Sequence, residues 1–160
     1  MLLRLIEDRD LWRFTLPETK PFGLWLRSES FDFERWELIS QELADGRDCD
    51  VILTEANAMQ RFFDAKVSEI AARSRYGEIG GHRVRVCNCP PMFASEVGHK
   101  LLEDWPDVPF VACYSDDQKA RGYSLRSSDD FSHRMDVSEV ARKFGGGGHR
   151  NAAGFGVPLA

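Results

Sequence analysis

The sequence predicts an α/β protein: a helical N-terminal part, one long helix, then a small mixed sheet with helices packed on it. Three observations predict it. Between residues 31 and 74 apolar side chains recur at intervals of three and four, the period of a helix face. From Tyr76 onward the pattern changes to short β-rich runs separated by Gly and Pro. Near the C-terminus an Asp-capped helical segment runs into four consecutive glycines and then a last apolar stretch. The domain boundaries expected from this are 1–48, 49–75 for the long helix, and 76–160.

Residues 2–12 read as a short helix or a strand-to-loop segment that ends in Asp8-Arg9-Asp10-Leu11-Trp12. Two acids one residue apart, beside Trp12 and Phe14, suggest a partly buried polar site; the alternative is an aspartate paired with Arg9 or Arg13. Leu16-Pro17-Glu18-Thr19-Lys20-Pro21 should break any helix. Phe33, Trp36, Ile39 and Leu43 then share one face of a helix over 31–44, which Asp45-Gly46-Arg47-Asp48 ends. A longer helix spans about 50–74, with Ile52, Ala56, Met59, Phe63, Val67 and Ile70 as its apolar stripe.

Gly77–Gly80 and Arg83–Cys87 form two strands joined at Gly80-Gly81, a hairpin signal. Arg83 and Arg85 share one face of the second strand and read as a solvated basic patch. Pro90-Pro91 stops that strand, and a helix covers 94–104. Residues 109–114 are β-rich, and Asp116-Asp117-Gln118 turns them into a strand over 120–126. Asp129 and Asp130 cap a loop. Asp136 is the expected N-cap of a helix over 137–144, with Glu139 at its third position. Gly154–Val157 is the last strand.

Composition narrows the function classes. With 42% hydrophobic and 29% charged residues the chain is a globular one, and no apolar run approaches the ~20 residues of a membrane span. A net charge of −5 argues against a sequence-independent nucleic-acid coat, but not against a short oligonucleotide at one local basic site. Cys49, Cys87, Cys89 and Cys113 form only one close-spaced pair. Zinc sites usually show two such pairs, so these read as reduced structural cysteines of a cytoplasmic protein.

Glycine loses more backbone freedom on folding than any other residue, so the run Gly145–Gly148 needs a reason. Either it is a flexible linker, or its N–H groups converge into a nest for an anion. Phe144 and Ala152-Ala153 flank it, which favours a loop packed into a core. The small residues after it could open a short helix whose dipole adds to the nest. Arg142, Lys143, His149 and Arg150 add positive charge on both sides. Among the histidines, His149 is the candidate for chemistry, since an imidazole titrates near working pH; His82, His99 and His133 read as surface groups.

The order Ser124-Leu125-Arg126-Ser127, Asp136-Val137-Ser138-Glu139-Val140-Ala141, then Phe144-Gly145-Gly146-Gly147-Gly148-His149-Arg150-Asn151-Ala152-Ala153-Gly154-Phe155 resembles the C-terminal DHH-associated domain of the DHH phosphoesterase family. That family includes RecJ-type exonucleases, nano-RNA and cyclic dinucleotide phosphodiesterases, and exopolyphosphatase-related proteins. The resemblance implies that Arg126, Gly146, Gly147, Gly148, His149 and Asn151 hold the substrate's phosphates, with His149 the catalytic candidate. It also implies that residues 1–48 are a remnant of the catalytic domain, with Met1 inside it as though a longer reading frame had been cut. The segment Glu7-Asp8-Arg9-Asp10-Leu11-Trp12 resembles the stretch that supplies a late metal-ligand aspartate, and Asp8 matches it better than Asp10.

Such enzymes hold two Mn²⁺ or Mg²⁺ ions, hard cations suited to carboxylates. The other ligands lie before the segment that opens this chain, and no Asp-His-His occurs in it. One aspartate cannot hold two ions. The expectation is therefore the substrate-binding part of a metal-dependent phosphoesterase, inactive and metal-free as this fragment. Its partner would be a phosphate-containing substrate: a short oligonucleotide, a linear or cyclic dinucleotide, or polyphosphate. The aromatic residues of the first 45 positions, lacking a catalytic domain to cover them, predict a homo-oligomer. The alternative is a stand-alone nucleic-acid-binding module like the domain that ends alanyl-tRNA synthetases.

Overall fold

A computed structural model describes residues 1–45 and 49–159. The chain forms two compact units, Met1–Ala65 and Lys66–Ala160. Gly46, Arg47 and Asp48, expected to end the third helix, lie outside the described residues.

The first unit is helical: α1 (Leu2–Asp10), α2 (Thr19–Leu26), α3 (Phe33–Asp45) and the first part of α4 (Cys49–Ala71). Its core joins Leu2 and Leu5 of α1, Phe22 and Trp25 of α2, Ile39 and Leu43 of α3, and Ile52 and Ala56 of α4. Fully burying a side chain such as Ile39 is worth about 1.5–3 kcal/mol. Two expectations are corrected here. Pro21 does not prevent a helix: it sits in the first turn of α2, where an N–H has no intrahelical acceptor to lose. Phe33 is not part of the buried stripe of α3, being 95% exposed at the helix's first position.

Between α1 and α2 the chain turns sharply, and Trp12 and Phe14 both take positive φ, 54° and 49°. Asp8 fastens this turn. Its Oδ1 accepts from the Thr15 N–H (3.0 Å) and hydroxyl (2.6 Å), and its Oδ2 from the Leu16 N–H (3.2 Å) and the Thr19 hydroxyl (2.5 Å). Backbone strain of this kind persists only where the surroundings over-determine it, and four donors on one buried carboxylate do so.

The second unit holds a six-stranded mixed sheet among the described residues, in the order β1-β2-β3-β4-β6-β5. Its strands are β1 (Arg75–Ile79), β2 (His82–Asn88), β3 (Val111–Asp116), β4 (Ala120–Arg126), β5 (Gly147–His149) and β6 (Ala152–Pro158). The β1–β2 hairpin turns at Gly80 (φ 62°) and Gly81 (φ 85°), a pair that matches the right-handed twist of its strands. β2 and β3 are parallel, and α5 (Ala94–Asp104) makes the crossover between them.

Because strand side chains alternate, register assigns each residue to a face. Val84, Ala112, Leu125, Ala153 and Phe155 lie on one face and pack with Val137, Val140 and Ala141 of α6 (Val137–Arg142). Tyr123, Phe155 and Phe144 stack there, with ring centroids 4.8 and 4.4 Å apart. The opposite face carries Arg85, Cys87, Cys113, Ser124 and Arg126, and α5 lies against its β3 and β4. Arg85 is not on a solvated patch as expected. It is buried, its guanidinium 3.9 Å from the Trp105 ring and bonded to the Ser74 carbonyl at 2.5 Å.

Candidate phosphate-holding edge

The glycine run has two different jobs. Gly145 (φ 76°) and Gly146 close the C-terminus of α6: the Gly145 N–H reaches the Arg142 carbonyl (3.1 Å), and the Gly146 N–H the Ala141 carbonyl (3.0 Å). This is a Schellman motif. It spends both N–H groups on the helix, so Gly146 does not present its N–H to an anion as a nest would require. A Cβ on Gly146 would stand 2.1 Å from the Gly154 carbonyl oxygen, so close approach, rather than a ligand, demands glycine there.

Gly147 and Gly148 belong to β5, one of the two edge strands of the sheet. The short helix expected after the glycines is absent. The chain turns at Arg150-Asn151 and returns as β6, pairing His149 with Ala152, Gly148 with Ala153 and Gly147 with Gly154. Asp129 holds that turn, accepting from Arg150 Nε (2.8 Å) and Asn151 Nδ2 (2.9 Å). The turn's carbonyls are also taken, Asn151 by the Ser127 N–H (3.0 Å) and Arg150 by the Val137 N–H (2.8 Å). The Asn151 side chain is thereby fixed to Asp129, while its Oδ1 is buried with no hydrogen-bond partner.

Arg126 and His149 lie in one cross-strand row, two strands apart. Arg126 of β4 pairs with Ala152 of β6, which pairs with His149 of β5. All three side chains leave the same face, with the small Ala152 between the two polar groups. The next row on that face is Ser124, Gly154 and Gly147, nearly bare of side chains. Farther along β4 on this face lies a cavity of about 210 Å³ against Pro91, Ala94, Ser115 and Gly122. His149 is exposed, and Arg126 is half-buried. The Arg126 guanidinium gives Nη1 to the Leu125 carbonyl (2.9 Å) and Nη2 to the Ser95 hydroxyl (2.9 Å). Burial lowers its pKa from the ordinary arginine value. A guanidinium has five N–H donors, and these two bonds engage two of them.

The sequence treated His99 as a surface group. It is half-buried on α5, its Nδ1 donating to the Ser95 carbonyl (2.9 Å), and burial, then the nearby Arg126, lower its pKa. Helical spacing from Ser95 was the signal for this placement. His133 is exposed, its Nε2 bonded to the Pro106 carbonyl (2.8 Å).

The described residues do not fit a metal centre. All four hydrogen bonds of Asp8 are internal, and they hold its carboxyl well below the usual range although burial pushes the other way. Among the described residues no three His, Cys, Asp or Glu side chains are placed to share an ion. Cys87, Cys89 and Cys113 are buried free thiols, and burial pushes Cys87 up to about 11.

No protein-family model matches the chain. Over 156 residues it is 35% identical to uncharacterized protein R106 of Acanthamoeba polyphaga mimivirus, covering 94% of this chain and 35% of that protein. Over 65 residues it is 38% identical to oligoribonuclease NrnB of Bacillus subtilis (strain 168), covering 41% of this chain and 15% of that protein. The chain thus spans about a third or less of the curated relatives it matches. Among solved structures, the pGpG-specific phosphodiesterase PggH of Vibrio cholerae aligns with a TM-score of 0.63 at 14% identity, over 98% of this chain and 60% of its own. The DHH domain of a member of a ribosomal-protein family aligns with a TM-score of 0.50 at 11% identity, over 74% of this chain and 31% of its own. The chain shares the mixed α/β fold of these solved structures.

Proposed function

We propose that the second unit is the substrate-holding part of a DHH-family phosphodiesterase, acting on short RNA or a dinucleotide. The observation that carries the reading is the cross-strand row Arg126–Ala152–His149 on one face of the sheet. Arg126 supplies a forked donor for two phosphate oxygens. His149 donates a hydrogen bond to the same phosphate or passes a proton to the leaving oxygen. Gly147 and Gly148 let the backbone of the edge strand approach the ligand, with the Gly154 and Ser124 row as a floor for the nucleoside next to the phosphate. Asn151 fixes the turn that carries His149, through Asp129, instead of touching the ligand. Gly146 shapes the end of α6 so that β5 starts in register.

One arginine and one histidine suit a single phosphodiester better than a long polyphosphate, which would need cations along its length. The hydrolytic metal centre, with Mn²⁺ or Mg²⁺, belongs in this reading to another part of a longer protein. Asp8 would join such a centre only by giving up at least one of its four donors. Phe31 and Phe33, 91% and 95% exposed, form the surface on which a homo-oligomer would close, and sedimentation of the chain tests that. The experiment for the site is calorimetric titration of the 160-residue chain with pGpG. Arg126→Lys and His149→Ala should each weaken binding by about ten- to a hundredfold, the net worth of a hydrogen bond to a charged group. Equal affinity in all three proteins would reject the site.

A further inference from the structure

We infer that Ser95 and Gly98 of α5 are positioning residues for Arg126, one holding its head and the other its stem. The inference rests on the reading of Arg126 as a phosphate ligand, but the device is visible without any ligand. Arginine is the most awkward side chain to aim, because its guanidinium rides on several rotatable bonds. Arg126 is the last residue of β4, with no further strand residue to pack beside it. Its direction must come from elsewhere, and α5 provides it.

Gly98 is a slot for the stem. A Cβ there would stand 2.6 Å from Arg126 Cγ and 3.1 Å from its Cβ. Those atoms are the root of the side chain, so Arg126 could not accommodate even one methyl group without leaving its rotamer. Gly98 is also buried in the interior of a helix, where glycine is unfavourable without a packing reason. Ser95 lies three residues earlier, on the same helix face. Its hydroxyl accepts from Nη2 at 2.9 Å, while the Leu125 carbonyl takes Nη1 at 2.9 Å. The Ser95 carbonyl is itself tied to His99 Nδ1 one turn on, at 2.9 Å. Stem and head are therefore each fixed by one residue, and the donors that Ser95 and Leu125 do not use are left pointing in one set direction. Holding a ligand group in place before binding removes the ordering cost that binding would otherwise carry.

The test uses the full chain with pGpG as the probe, and NMR of the Arg126 guanidinium. Slowly rotating Arg126 Nη signals are expected in the free wild type, lost in Ser95→Ala and Gly98→Ala and retained in Ser95→Thr. Signals unchanged in Ser95→Ala overturn the inference, whatever the ligand does. For binding, Ser95→Ala should weaken pGpG by about three- to tenfold, the net worth of one hydrogen bond. In an Arg126→Lys background the same substitution should do nothing further, because it acts through Arg126. An equal loss in both backgrounds overturns the positioning role. If Arg126→Lys itself leaves pGpG affinity unchanged, the phosphate reading fails, while the guanidinium signals still decide whether Ser95 and Gly98 aim the side chain.

Discussion

Gly147 and Gly148 are neighbours in β5, yet only one of them requires glycine. Gly148 has φ 144°, and a Cβ on it would stand 2.5 Å from Ala153 Cα; Gly147 has open space around it. Gly148→Ala should therefore destabilise the second unit by at least ~1 kcal/mol, and Gly147→Ala should stay within about ±0.5 kcal/mol. Urea denaturation of the two variants separates them; equal midpoints would contradict the assigned geometry. His99 gives a pH prediction at the same scale. Its folded pKa lies below the ordinary 6.5, chiefly because it is buried, with Arg126 adding repulsion; the Ser95 carbonyl, Glu96 and Glu103 pull the other way. The unfolded chain then binds a proton that the folded chain refuses. Stability from this residue is full above about pH 6.5 and falls as pH drops through the lower folded value. His99→Gln should flatten that part of the stability–pH curve, and an unchanged slope would argue against it.

At the scale of elements, what was legible in the sequence followed side-chain pattern. Of the stripe predicted on α4, Ile52, Ala56, Phe63 and Val67 are buried and Met59 and Ile70 half-buried, α5 has the boundaries expected, and Asp136 caps α6 by accepting from the Ser138 N–H at 2.9 Å. What was not legible lacked such a pattern. Strand β5 consists of two glycines and a histidine, so nothing in it alternates, and only its pairing with β6 defines it. Helix α2 was hidden by Pro21, since a proline signals a break unless its place in the first turn is known. The candidate residues Arg126 and His149 were readable as residue types, but their meeting on one row depends on β6 lying between β4 and β5. Burial sets the energetic scale of these elements. Leu101→Ala, at a fully buried position of α5, should cost about 2–5 kcal/mol, whereas Phe33→Ala at the exposed start of α3 should be within about ±0.5 kcal/mol. Chemical denaturation of each variant, at a concentration where the chain sediments as a monomer, checks the pair; a large loss for Phe33→Ala there would place it in a core that the fold does not show.

For the whole molecule, the two units carry different consequences. The helical unit keeps Phe22 and Trp25, 1% and 4% exposed, in a core of its own, so those aromatics do not need the absent partner expected from the sequence. The second unit carries the candidate phosphate-holding edge; among the described residues no set of metal ligands accompanies it, and no helix is long and apolar enough to cross a membrane. This chain by itself should therefore give no turnover of pGpG with Mn²⁺ or Mg²⁺ present; turnover that survives purification and requires Asp8 would overturn that expectation. Binding without turnover is the central claim, and amide NMR of the 160-residue chain titrated with pGpG tests it most directly. The account predicts shifts centred on Arg126, residues 147–149, Ala152 and the Ser124 and Gly154 row, saturating at roughly millimolar ligand, equivalent to about −4 kcal/mol. No shift at those residues in high-millimolar pGpG would contradict it and leave the glycines with their structural work alone.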